Sequence, residues 1–314
     1  MFLLIRGSIL KPALLNTPLY PDMNIRTLHQ TLTARLKRAG IESASLDSRL
    51  LIQHILKISH EAYWLQQNDP LPPELIKAVE MLVEERAKGR PVSNIIGEKE
   101  FYGERFIVSD AVLDPRPDTE LLIERILKHY PDQESALDGA DLGTGSGCLA
   151  VTLARLYPNS QWRASDISSA ALAVARKNIE RFSVENRVEL AQGSWFEAPA
   201  HQDQRYDLII SNPPYIPAAA INDLALEVKA HDPTKALSGG VDGLDCYREI
   251  LATAADYLKN HGRLFFEIGA GQAEAIIQIN REINKDQISH KETTTDLAGH
   301  ERCLLFQKSN TSSA

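Results

Sequence analysis

The chain has 314 residues, 43% hydrophobic, 24% charged and 6% aromatic, which excludes a disordered or fibrous protein and leaves room for about two domains. Its 34 Lys+Arg against 42 Asp+Glu give a net charge of −8, with 14 basic and 13 acidic side chains in residues 1–110, so neither part is a basic body that grips nucleic acid without sequence preference. No stretch reaches the roughly 18 apolar residues of a membrane-spanning helix, and Cys148, Cys246 and Cys303 fall in no disulfide or zinc spacing, which points to a reducing cytoplasm and to no metal site.

Arg6 and Lys11 interrupt the apolar N-terminal run and no small-residue cleavage site follows, so residues 1–22 read as a non-essential extension, with Met23 a candidate start. Regular patterning begins at Met23. Ile25, Leu28, Leu32 and Leu36 share one helical face that stops at Gly40, and Ser45 is placed to cap a second helix carrying Leu46, Leu50, Leu51 and Ile55. Pro73 suits the first turn of a third helix, bearing Leu75, Ile76, Val79, Leu82 and Val83, that ends at Gly89. Residues 23–95 are therefore expected to form a small helical domain. Phe101-Tyr102 and Phe106-Ile107-Val108 flank Gly103 as a hairpin within a linker, 96–117, that ends in the stiff Asp114-Pro-Arg-Pro117.

Residues 118–308 alternate between strands and helices after a first helix near Asp118. Strands are predicted at 136–142, 161–166, 188–192, 206–211 and 263–268, with helices at 146–156, 168–182 and 244–259. This is an α/β pattern, a mainly parallel sheet covered on both faces. Two final β-prone runs, 288–295 and 302–307, have no room for a crossover and should pair antiparallel. Residues 309–314 are a polar tail.

Asp141-Leu-Gly143-Thr144-Gly145-Ser146-Gly147 falls where the first of these strands ends and a helix begins. Its glycines allow a tight turn and close approach of a ligand, and the helix start adds N–H donors. The dinucleotide register GxGxxG fails because its last position is Cys148, and no Walker Lys-Ser/Thr follows. Asp141, so close to the loop, suits a ligand carrying an amino group or positive charge better than a pyrophosphate. Asp166, at the end of the second strand, stands where a carboxylate accepts both ribose hydroxyls in Rossmann-like folds. The plainer alternative is a tight turn, with Asp166 capping the next helix.

After the apolar run Tyr206–Ile210 and Ser211 comes Asn212-Pro213-Pro214-Tyr215, a tetrapeptide expected by chance in roughly one such chain per thousand and so the most specific signal present. Two prolines fix φ and remove two N–H donors, leaving neighbouring carbonyls to accept. With the Asn212 side-chain carbonyl and the flat face of Tyr215, they form an array suited to a planar NH2 group. Orienting that poor nucleophile is a good use of binding energy. His231, His261 and His300 are scattered and read as surface or structural histidines.

The glycine loop, Asp166 and Asn212–Tyr215 together resemble the class I S-adenosylmethionine-dependent amino-methyltransferases. Within them the chain resembles the HemK/PrmC family, the peptide chain release factor N5-glutamine methyltransferases, from about Met23 to Lys308. That likeness includes Pro115–Glu120, His231–Gly240, Asp242–Asp245 and Asp296–Arg302. The resemblance implies a Rossmann-like, mostly parallel seven-stranded sheet with a small N-terminal helical domain that meets the substrate protein. It implies S-adenosyl-L-methionine held by Asp141, Gly143, Thr144, Gly145, Ser146, Gly147, Asp166, Trp195 and Asn212. It places Asn212, Pro213, Pro214 and Tyr215 at the catalytic and substrate site, with Arg116 on the substrate side. The implied substrate is the Gly-Gly-Gln glutamine of class 1 release factors, with no stable nucleic-acid partner and no membrane. A sister family that methylates a glutamine of ribosomal protein L3 shares the loop and Asn-Pro-Pro-Tyr. N6-adenine methylation of nucleic acid would call for a basic recognition region, and the first 110 residues net only +1.

Overall fold

A computed structural model describes residues 23–223 and 233–310. Residues 1–22, 311–314 of the polar tail, and His231 and Asp232 of the quoted His231–Gly240 stretch lie outside the described residues. The chain divides into two compact units at Ile96/Gly97.

The first unit is helical: α1 (Ile25–Arg38), α2 (Ala44–Leu56), α3 (His60–Leu65), α4 (Pro73–Ala87) and α5 (Val92–Ile96). Asn24 and Thr27 form a reciprocal capping box at the start of α1, where the apolar periodicity begins. Ile25, Leu28, Leu32 and Leu36 meet Leu51, Ile52, Ile76, Val79 and Val83 in one core. Inside this unit Arg86 Nε and Asp47 Oδ2 make a buried ion pair of 2.6 Å, and the Ser43 hydroxyl also donates to Asp47. Ser45 does not cap α2. The helix begins at Ala44, so Ser45 lies in its first turn and its carbonyl meets His29 Nε2 at 2.9 Å. The helices α3 and α5, of five or six residues, are too short to show a period.

The second unit opens with the hairpin β1 (Glu98–Phe101) and β2 (Glu104–Ile107), turned by Tyr102-Gly103. It is tied to this unit rather than free between two domains. Phe101 and Phe106 enter the main core, and Asn178 clasps both sides of Ile107, accepting from its N–H at 2.7 Å and donating to its carbonyl at 2.9 Å.

A short 3-10 turn (Pro117–Thr119) and α6 (Glu120–His129) lead into β3 (Asp138–Leu142), α7 (Cys148–Leu156), β4 (Gln161–Asp166), α8 (Ser169–Arg181), β5 (Val188–Gln192) and β6 (Tyr206–Ser211). After α9 (Thr234–Leu237) and α10 (Asp245–Tyr257) come β7 (Leu258–Glu267), α11 (Ala273–Asn284), β8 (Ile288–Thr295) and β9 (Glu301–Lys308). The seven-stranded sheet has the order β5-β4-β3-β6-β7-β9-β8, with β3 to β7 parallel and β9 antiparallel to both of its neighbours. Strand order reverses between β3 and β6, so their carboxyl ends open a crevice, the usual ligand position in such sheets.

Packing fixes Gly139. Gly139 in β3 lies opposite Trp162 of β4, and a Cβ there would stand 2.5 Å from the buried indole. Gly139→Ala should therefore destabilise the second unit by about 1–3 kcal/mol, read as a lower urea midpoint at unchanged slope. An unchanged midpoint would mean that the indole gives way without cost.

Candidate active site

The crevice holds a cavity of about 620 Å³, within the size range of cofactor sites. Its floor is the loop after β3. Gly143 turns at φ +76°, and the N–H groups of Gly143 and Thr144 both donate to the Ser165 carbonyl at 2.9 Å. Gly147, at φ +79°, caps α7 where a Cβ would press on Ala175 at 3.3 Å. The loop is thus pinned to the end of β4 and to α8. Positive φ at these two positions is open to glycine at little cost.

Asp166 closes the same side. Its Oδ2 accepts from Gly145 N at 2.9 Å and its Oδ1 from Ser168 N at 2.8 Å, so the carboxylate is fixed with lone pairs still available on the cavity side. Burial raises its pKa, and the two backbone donors oppose that shift. Trp195 stands across from it, its Nε1 donating to Glu249 at 2.6 Å and its ring 3.2 Å from the position of a Cβ on Gly143. Any side chain at 143 would meet both backbone strain and that ring.

At the far side β6 delivers Asn212 and Pro214 into the cavity wall, with Arg116 and Thr119 beside them. The Asn212 Nδ2 donates to Thr119 Oγ1 at 3.2 Å, and Thr119 Oγ1 donates to Glu267 Oε2 at 2.6 Å. Glu267 ends β7 and is buried.

Of the residues predicted from sequence, Gly143, Thr144, Gly145, Ser146, Asp166 and Trp195 line the cavity, as do Arg116, Asn212 and Pro214. Four do not: Asp141, Gly147, Pro213 and Tyr215. Asp141 does not line the cavity. It is 1% exposed, and its Oδ2 accepts from Thr144 Oγ1 at 2.7 Å and Ala150 N at 3.3 Å, so it braces the loop from behind. Tyr215 leaves the wall because its carbonyl is held by Gln272 Nε2 at 2.9 Å and its ring packs at Gly269. Burial pushes its phenol up to about 12. Sequence reasoning missed Thr119, Glu267 and Glu249 as site residues. Glu267 had a signal: it is the one carboxylate in the apolar run Leu264–Ile268.

Burial also holds the carboxyls of Asp141 and Glu267 up to about 7, against 3.8 and 4.5 for free groups. Between the free and folded values the folded chain keeps protons that the unfolded chain has lost, so stability falls as pH rises through that window. The loss is complete above about 7. Glu267→Gln should flatten this fall, and urea unfolding across the window measures it. A fall as steep in Glu267→Gln as in wild type would remove Glu267 as a source.

The sheet order, the pinned glycine loop and the acid ending β4 define a class I methyltransferase. Residues 27–97 match the family model of the PrmC N-terminal domain, and residues 100–291 match that of the methyltransferase small domain. The chain is 43% identical over 270 residues to a release factor glutamine methyltransferase of Cereibacter sphaeroides, covering 86% of this chain and 93% of that protein. To the release factor glutamine methyltransferase of Geobacter sulfurreducens it is 42% identical over 242 residues, covering 77% and 83%. The chain belongs to the release factor glutamine methyltransferase family. Its fold is also that of the hMettl16 catalytic domain, with a TM-score of 0.51 at 14% identity over 74% of this chain and 82% of that one.

Proposed function

We propose that this enzyme transfers the methyl group of S-adenosyl-L-methionine to the side-chain amide nitrogen, N5, of the glutamine in the Gly-Gly-Gln loop of class 1 peptide chain release factors, in the cytoplasm. The observation that carries this reading is Asn212, which shares one cavity with Asp166 and the glycine loop and heads Asn-Pro-Pro-Tyr. Relatives named for release factor glutamine methylation supply the substrate class.

The cavity residues fit the cofactor. Each Asp166 oxygen has a backbone donor and spare lone pairs, which suits two ribose hydroxyls. Nothing lies within 4 Å of a Cβ position at Gly145, so the loop backbone is open to a ligand there. Trp195 adds a flat apolar wall. Bound in this place, S-adenosyl-L-methionine supplies an electrophilic sulfonium methyl.

The remaining contributions come from the chain. Asn212 Oδ1 and the backbone carbonyl beside Pro213 accept the two hydrogens of the substrate amide, which aims its nitrogen along the line of attack. An amide nitrogen is a weak nucleophile because its lone pair is delocalised, so orientation and desolvation carry the rate. Pro214 narrows the slot, and the bond from Gln272 to the Tyr215 carbonyl anchors the backbone that follows it. Arg116, at the cavity wall, meets the substrate chain. The nitrogen is cationic at the moment of transfer and strongly acidic, so it returns its extra proton to water without a general base.

Radiolabelled methyl transfer to purified release factor, ribosomal protein L3 and DNA in parallel tests the reading. Label on the release factor glutamine is the expected result. Label on L3 or DNA alone would replace the substrate, and cofactor binding with no label anywhere would reduce the protein to a binding module.

A further inference from the structure

We propose that Thr119 and Glu267 form a buried positioning relay that sets the polarity of the Asn212 amide, turning its NH2 inward and its Oδ1 toward the substrate. The inference rests on the reading that Asn212 holds the acceptor amide.

An asparagine amide is nearly symmetric in shape, so packing alone does not decide which end faces a ligand. Charge and hydrogen count do. A hydroxyl has one hydrogen, and Thr119 gives it to Glu267 Oε2 at 2.6 Å. An ionised carboxylate only accepts, so that hydrogen stays on the Glu267 side and Thr119 Oγ1 can only accept in turn. Asn212 Nδ2 meets this at 3.2 Å. That bond draws the NH2 end inward, toward the charge of Glu267. Thr119 and Glu267 are 3% and 2% exposed, so water does not compete for these bonds.

The relay's state depends on the charge of Glu267. Burial raises the pKa of its carboxyl to about 7, and Asp118 raises it further, while Thr119, Arg302 and Asn212 oppose the shift. Tyr215, Tyr247, Cys148 and Cys303 also face it, each with its own pKa raised by burial and by this carboxylate. The Tyr247 hydroxyl donates to the Glu267 backbone carbonyl at 2.9 Å, fixing the main chain beneath the carboxylate. Once protonated, Glu267 donates its own hydrogen to Thr119. The threonine hydrogen is then free to turn to Asn212, and the amide takes either orientation. Because the ionised form is the one that sets the polarity, methyl transfer should fall as pH drops through neutrality.

Single-turnover methylation of a release factor at saturating cofactor, for wild type, T119S, T119V and E267Q on both sides of neutrality, tests the relay. T119V should lose about tenfold to a hundredfold in rate. Its cofactor affinity should be unchanged, and T119S should recover most of the rate. E267Q, whose amide can donate or accept, should be slower and should lose the acid limb of the pH profile. Nitrogen-15 spectra give a readout that needs no turnover. The Asn212 side-chain NH2 signal, identified by its loss in N212A, should titrate near neutrality in wild type and not in E267Q. A wild-type rate and pH profile in T119V, or an Asn212 signal indifferent to pH in wild type, overturns the relay. Failure of wild type to methylate any release factor overturns the functional reading instead, and the Asn212 signal still decides the relay.

Discussion

Asp166→Ala should weaken S-adenosyl-L-methionine binding by more than a hundredfold, because two ribose hydroxyls lose a charged acceptor at about 1.5–3 kcal/mol each. The same substitution strips Gly145 N and Ser168 N of their partners, so the glycine loop loses one of its ties to β4. Asp166→Asn separates the two effects. It keeps one acceptor oxygen but sets an NH2 against one of the backbone donors, so binding should be intermediate. Calorimetric titration gives both affinities, and an unchanged value in Asp166→Ala would take the residue out of the cofactor site.

How far this site could be read from sequence follows from which forces are local. The glycine loop, Asp166 and Asn-Pro-Pro-Tyr each occupy a junction between a strand and the next element, where residue type answers to backbone shape within a few positions. The alternation of strands and helices was legible for the same reason, since each strand is an apolar run between turns. What stayed hidden was set by partners distant in sequence. The helix α11 was missed because two of its buried positions are Asn280 and Asn284, whose amides donate to the carbonyls of Ile288 and Leu251. Such pairs satisfy burial without an apolar period.

Asp141 is the opposite case. A carboxylate beside a glycine loop looks like a ligand group, yet side-chain direction within β3 turns it toward Thr144 and Ala150. Alternation along a strand decides this, and in a strand buried on both faces the hydrophobic pattern does not show which way one acid points. Thr119 and Glu267 were illegible as a pair for a simpler reason. They lie 148 positions apart and meet only when the turn before α6 docks at the end of β7. Gly139 belongs with them, since its need for no side chain comes from Trp162 on the neighbouring strand.

Asn212→Ala should separate binding from chemistry. If its Oδ1 orients the substrate amide mainly in the transition state, kcat should fall on the order of 10²–10³, the range seen when a positioned hydrogen-bonding group is removed. Affinity for the release factor should change far less. Asn212→Asp is the sharper variant, because the structure gives the lost NH2 a specific cost. A carboxylate keeps an acceptor toward the substrate, but Thr119 has a single hydrogen, already held by Glu267, and receives nothing from Asp. Two carboxyls then share one buried hydroxyl, and repulsion raises the proton affinity of the pair. Carried by the new carboxyl, the added proton donates to Thr119 as Nδ2 does and leaves the other oxygen to accept from the substrate, so the aspartate variant should keep partial activity that is lost as pH rises and the proton leaves. Single-turnover rates for wild type and both variants, at saturating cofactor across the pH range, decide the matter. A wild-type rate in Asn212→Ala would mean that Asn-Pro-Pro-Tyr is a rigid turn and that the acceptor nitrogen is held elsewhere in the cavity.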